Sequence, residues 1–241
     1  MIGRVVLAFV LLAIAGATAG LQLDRQARYE PVYATFVPEP FRAFALPHRV
    51  GDAINAGQPQ LGLAEAKQLV ARRPMPALHL RLLSQAQFAA GDPQTATLTV
   101  QYAARRGWRD RDAQDVMLRL ALSAGDKTEA SRRFAALFTD SASDDEVLRA
   151  LATELFSEPD GANARATFAS ILGDAERWQT TYLRKGPRVL SAHTFAAITA
   201  DTAQAGTTFD CKLLQSAKKT LDKAADTQAS EQLATVIAQS C

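Results

Sequence analysis

The dipeptide Ala-Gly recurs at 56–57, 90–91 and 124–125, two intervals of 34 residues. Five residues beyond each glycine stands a small residue: Gly62, Ala96 and Ala130. A fixed period of this length marks a repeated supersecondary unit, which stacks on its neighbours because alone it leaves its apolar face uncovered. Each Ala-Gly ends an apolar-periodic segment. A glycine just past a helix end takes the left-handed conformation without a Cβ clash. The residues that follow, Gln58-Pro59, Asp92-Pro93 and Asp126-Lys127, open the next helix, with Asp92 as a cap and Pro93 at the first helical position. The small residue five on lets two helices approach closely. Each phrase therefore reads as the elbow of a helix hairpin.

The flanks agree. Residues 78–90 and 113–124 repeat apolar side chains at i, i+3 and i+4. Their partner helices are expected over 63–73, 95–106 and 129–138, with Pro74 ending the first hairpin and Pro76 starting the next helix. Residues 143–172 read as a further helix–elbow–helix, in which Gly161 and Ala166 keep the five-residue offset at an interval of 36. Trp178, Tyr182 and Leu183 are expected to anchor an irregular helix over 175–187. Residues 189–204 and a final hairpin over 209–240 form a terminal cap, since stacked arrays need atypical ends to hide the last apolar face. The abundance of alanine suits helices throughout.

These residues resemble the tetratricopeptide repeat. The period, the mid-repeat glycine, the small residue after it and Pro74 follow that family's pattern. Leu80 and Leu83 stand at its first-helix apolar positions, Val100 and Ala103 at its second-helix ones. The family's early Trp is absent, Gln87 and Ala121 replace its usual Tyr, and only the first repeat has a closing proline, so the repeats over 47–140 are degenerate. The resemblance implies an all-α chain: a right-handed superhelix of antiparallel helix hairpins, a TPR-like solenoid over 47–241 with a C-terminal capping hairpin. It also implies partner binding on the concave face built by first helices. The matching positions are Leu78, Arg81, Gln85 and Phe88, then Asp112, Asp115, Arg119 and Leu122. Arg81, Gln85 and Arg119 would read polar groups, beside Asp115, while Phe88 and Leu122 form an apolar floor. Arginine can grip a carboxylate with two parallel hydrogen bonds. The alternative for these positions is a solvated face with ordinary salt bridges. The family's Lys and Asn clamp for a peptide terminus is absent.

The amino terminus differs from the rest. Arg4 is followed by Val5 to Leu21 without a charge, and Ala17-Thr18-Ala19 offers a cleavage site. Residues 1–21 are thus an export signal or an uncleaved membrane anchor, and either places the chain from Gln22 onward outside the cytoplasm, in a bacterial periplasm. Residues 22–46, broken by Pro31, Pro38 and Pro40, closed by Pro47 as a further helix breaker, and punctuated by Tyr29, Tyr33, Phe36, Phe41 and Phe44, are expected to be an extended strap packed partly on the body. Docking of these rings on a neighbour is the alternative. Cys211 and Cys241 lie symmetrically about Asp226, across the open end of the last hairpin. In an oxidising compartment they are expected to form a disulfide; two unpaired thiols are the other reading.

A net charge of +2 without a basic run argues against nucleic acid. No metal-ligand spacing or cofactor motif occurs, so no metal and no cofactor are expected. His48, His79 and His193 are isolated, and no nucleophile or phosphate-loop motif is present. The acids at 110, 112 and 115, and at 144–146, suit helix starts. The expectation is a non-enzymatic scaffold that binds protein partners of the cell envelope, touching membrane only through its N-terminal segment. The rival expectation is a helical periplasmic glycan hydrolase using Glu154, Glu158 or Asp115, with two carboxyls converging in a cleft.

Overall fold

The computed structural model describes residues 2–157, 161–223 and 226–241. Among them the chain is all-α, with thirteen α-helices and no strand. It divides into two compact units, Met1–Asp110 and Arg111–Cys241.

The first unit holds α1 (Ile2–Ala27), α2 (Ala45–Asn55), α3 (Pro59–Arg72), α4 (Ala77–Ala89) and α5 (Pro93–Arg106). Helices α2 and α3, and α4 and α5, pack as hairpins, and α3 packs on α4. Gly57 and Gly91 turn the elbows with φ of +68° and +88°. The Asp92 carboxylate accepts the Thr95 amide at 3.1 Å, capping α5, and Pro93 opens that helix. The offset of five has its expected use. A Cβ on Gly62 would sit 3.1 Å from Ile54 Cγ1, and Ala96 is buried. The core joins Leu46 and Val50 of α2, Ala66 and Leu69 of α3, and Leu82 and Ala86 of α4. Leu80 and Leu83 are only half-buried; Leu82 takes the inward position.

Residues 22–46 are not extended. Gln22–Ala27 continue α1, and two 3₁₀ turns follow, Pro31–Thr35 and Glu39–Phe41. Pro31 and Pro40 stand in the first turns of these short elements and Pro38 just before the second, while Pro47, expected to break helix, lies in the first turn of α2, where a missing N–H costs nothing. The segment packs as a collar around the end of α1: Ala27, Ala34, Val37 and Ala45 are buried, with Leu23, Tyr33 and Phe41 against them. Asp24, 3% exposed, fixes the join. Its Oδ1 accepts the amides of Ala43, Phe44 and Ala45, each at 2.9 Å, so a side chain of α1 caps the start of α2.

The second unit runs α6 (Arg111–Ser123), α7 (Lys127–Thr139), α8 (Asp145–Leu155), α9 (Gly161–Asp174), α10 (Glu176–Val189), α11 (Ala192–Gln204), α12 (Cys211–Lys223) and α13 (Thr227–Ser240). The α6–α7 hairpin repeats the device: Gly125 has φ of +73°, Asp126 accepts the Glu129 amide at 2.9 Å, and Ala130 is buried. Beyond α7 the packing changes. Helix α9 packs mainly on α7 and α11, and α11 on α13, while α8 and α12 pack on α10. Gly161 is no left-handed elbow. It is the first residue of α9, and a Cβ there would lie 2.2 Å from the Phe156 carbonyl oxygen. The core changes as well. Phe134, Phe138, Phe156, Phe168, Tyr182 and Phe195 form one connected aromatic cluster in the core. A fourth left-handed glycine, Gly206 at φ +96°, ends α11. Cys211 and Cys241 are bonded, with Cα atoms 5.9 Å apart, across the open end of the α12–α13 hairpin.

Candidate functional site

The positions expected to form a binding face divide between the two units. In the first, Gln85 and Phe88 stand exposed on α4, Phe88 at 69%, and Leu78 is exposed at the start of the same helix. Arg81 is half-buried, its Nε 3.0 Å from Asp110 Oδ1. It is committed to an internal ion pair rather than offered to a ligand. On the same helix His79 is buried, its Nδ1 2.7 Å from the Arg73 carbonyl. Burial pushes this imidazole below its ordinary pKa, against the raising effect of that hydrogen bond. His79 is thus a neutral, donor-satisfied core histidine.

In the second unit, Asp115 and Arg119 line a groove of about 250 Å³. Its α6 wall is Arg111, Asp112, Asp115 and Arg119. Its floor is apolar: Leu137 of α7, and Val147, Leu148 and Leu151 of α8. The 3.6-residue period of α6 places Asp112, Asp115 and Arg119 on one stripe, with buried Ala113, Met117 and Leu118 turned to the core. Arg111 donates to the Ala142 carbonyl at 3.0 Å and so ties the start of α6 to the turn before α8. Asp144 caps α8, its Oδ1 accepting the Glu146 amide at 2.7 Å.

Arg119 Nε donates to Asp115 Oδ2 at 3.0 Å, an i, i+4 pair on the groove rim. The hydrogen bond and charge of Asp115 raise the Arg119 pKa, and the Glu154 carboxylate adds a smaller push in the same direction. Arg119 is therefore flanked by two acids and stays cationic. Val147 on α8 and Val116 on α6 are exposed at 48% and 42%, unusual for valines beside a charged rim. Leu122, a turn beyond Arg119, does not line the groove; it is half-buried against the core.

Sequence reasoning did not include the α8 wall. Val147, Leu148 and Leu151 were legible as an apolar i, i+1, i+4 set, but the acids before them drew the reading to a helix start. Of the acids named for catalysis, Glu154 is exposed, Asp115 pairs with Arg119, and Glu158 lies outside the described residues. A second concavity of about 640 Å³, among α9, α10 and α11, carries Asp174, Glu176 and Asp201 on its walls, none of them anticipated. Among the described residues no cluster of His, Cys, Asp or Glu is placed to hold a metal ion.

No protein-family model matches the chain, and neither a curated protein nor a solved structure matches it.

Proposed function

We propose that this chain is a membrane-anchored, extracytoplasmic scaffold of TPR-like build, and that the α6–α8 groove receives an amphipathic helical segment of an envelope protein. The observation that carries this reading is the groove itself: an aliphatic floor beneath a charged rim, in which Asp112, Asp115 and Arg119 stand at positions where the tetratricopeptide pattern puts its ligand-facing residues, with Arg111 and Asp144 beside them. The hairpins α2–α3, α4–α5 and α6–α7, with left-handed glycines 34 residues apart, support the TPR-like build. A leucine-sized side chain seated on Val147, Leu148 and Leu151 would contribute roughly 1.5–3 kcal/mol. Arg119, with guanidinium nitrogens beyond the one given to Asp115, would pair an acid on the partner helix.

Two features support the location. Helix α1 is long and apolar enough to cross a bilayer, with 6% of its most apolar window buried. That helix runs on without a break into the folded unit, where Gly20 is packed under Phe41. The Cys211–Cys241 disulfide suits an oxidising compartment.

The test is crosslinking in living cells, purification through a C-terminal tag and mass spectrometry, with a double variant Arg119→Glu/Val147→Asp run beside the wild type. Both side chains are exposed, so circular dichroism should be unchanged. The proposal expects one envelope protein enriched by the wild type and lost in the variant. Equal recovery by both would sink it.

A further inference from the structure

The collar carries an exposed apolar patch that the groove does not use. Tyr29, Val32 and Phe36 are 69%, 65% and 67% exposed, while their neighbours Ala34 and Val37 are buried. In the 3₁₀ turn Pro31–Thr35, with three residues per turn, the buried side repeats through Ala34 and Val37, and Val32 and Phe36 fall outside it. Arg28 stacks beside this patch, its guanidinium 5.6 Å from the Tyr29 ring.

The depth of the collar is set by one contact. A Cβ on Gly20 would lie 2.4 Å from the Phe41 ring, so only glycine lets that ring rest on α1 at this level. Leu21, one residue on, is 57% exposed and is followed by Gln22, the first polar amide after the apolar stretch. Residues 2–21 of a helix rise about 30 Å, the thickness of the bilayer hydrocarbon. Phe41 therefore touches α1 at the last turn of the stretch that lipid would surround. The collar is also rigid: Arg72 donates to the carbonyls of Glu39 and Arg42, Arg42 donates to that of Val37, and Asp24 pins residues 43–45. A rigid collar tied at that level meets the membrane surface wherever α1 spans it.

We infer that the collar beds in the lipid interface, with Tyr29, Val32 and Phe36 among the headgroups and upper acyl chains, and with Arg25 and Arg28 at the phosphates. Aromatic side chains at the ends of spans, followed by basic ones, are what this zone selects. The patch is carried by a turn packed directly on α1, whose Val5, Leu7, Phe9 and Leu12 are exposed apolar side chains of the span, and this attachment favours lipid over a protein occupant. The inference rests on the anchor reading.

The experiment uses the full chain in vesicles of phosphatidylcholine with one quarter phosphatidylglycerol. A Phe36→Trp variant, and separately Val32→Trp, is made with Trp108 and Trp178 replaced by Phe. Flotation reports anchoring, and quenching by phosphatidylcholine brominated near the carbonyl end of its chains reports depth. The expected result is co-flotation, blue-shifted emission and at least twofold quenching for both variants. Co-flotation with water-like, unquenched emission would overturn the bedded collar and leave the anchor standing. Blue-shifted but unquenched emission would also overturn it, assigning the patch to a protein neighbour. Failure to float would remove the anchor and the inference with it.

Discussion

Replacing Asp24 by Ala removes an acceptor that serves three backbone amides at once. Ala43, Phe44 and Ala45 stand at the start of α2, where amides have no partner within the helix. Loss of an ordinary cap costs about 0.5–2 kcal/mol, and hydrogen bonds to a charged group contribute about 1.5–3 kcal/mol each. The site is buried, so water replaces the carboxylate poorly. The three bonds share one oxygen, so the sum is well below three full contributions. A local cost of about 2–4 kcal/mol follows, which corresponds to roughly 30- to 1,000-fold in an opening equilibrium. The assay is amide hydrogen exchange of the full chain, read on the peptide spanning 40–50. Asp24→Ala should lose protection there by that factor, with the α12–α13 hairpin as an unchanged internal reference. Asp24→Asn keeps the Oδ1 acceptor but loses the charge and the second acceptor, Oδ2, that the Phe44 amide reaches at 3.1 Å, so its loss should lie below that of the alanine variant. Unchanged exchange at 43–45 in the alanine variant would refute the view that α1 and α2 are joined through this carboxylate.

Other expectations follow from single contacts. Cys211→Ser with Cys241→Ser opens a loop whose closure contributes about 3–4 kcal/mol in the chain-entropy model, so the α12–α13 hairpin should unfold at lower denaturant; intact mass before and after reduction and alkylation checks that the wild-type bond is present. Gly186→Ala puts a Cβ 2.7 Å from the Phe195 ring, against the most crowded part of the core, and should destabilise by about 1–3 kcal/mol in thermal unfolding. Tyr182 is fully buried, and desolvation pushes its phenol pKa far above the ordinary value, against the lowering effect of the Thr199 hydrogen bond. The unfolded phenol ionises near pH 10 while the folded one keeps its proton, so this group's contribution holds below that pH and falls by about 1.4 kcal/mol per pH unit above it. Tyr182→Phe should lack that alkaline slope; identical slopes in the two proteins would show that Tyr182 ionises in place.

The elbows were legible because their signals are local. Gly57, Gly91 and Gly125 each need a left-handed backbone, and Asp92 and Asp126 cap helices that begin at the next residue. The same Ala-Gly signal stood at 205–206 and went unread because it breaks the interval of 34. Gly161 kept the offset but not the conformation: it opens α9, and glycine is needed there because the Phe156 backbone carbonyl lies where a Cβ would stand. Asp24 was silent because its three partners lie 19–21 residues away. Of the expected binding positions, Asp115 and Arg119 line the groove, Arg81 is held by Asp110, and Leu122 turns toward the core. An alternating helical stripe fixes which side chains are candidates, but whether a candidate meets an internal partner depends on loops such as 107–110 that carry no periodic signal.

Position-resolved photo-crosslinking tests the central proposal most directly. A photoreactive residue is placed at Asp112 or Val147, which line the groove and are exposed, and at Arg132, which is exposed on α7. The account predicts that Asp112 and Val147 each yield an adduct with the same envelope protein, mapping to one amphipathic segment of it, and that Arg132 yields none. Adducts of equal strength from all three positions, or from Arg132 alone, would contradict it.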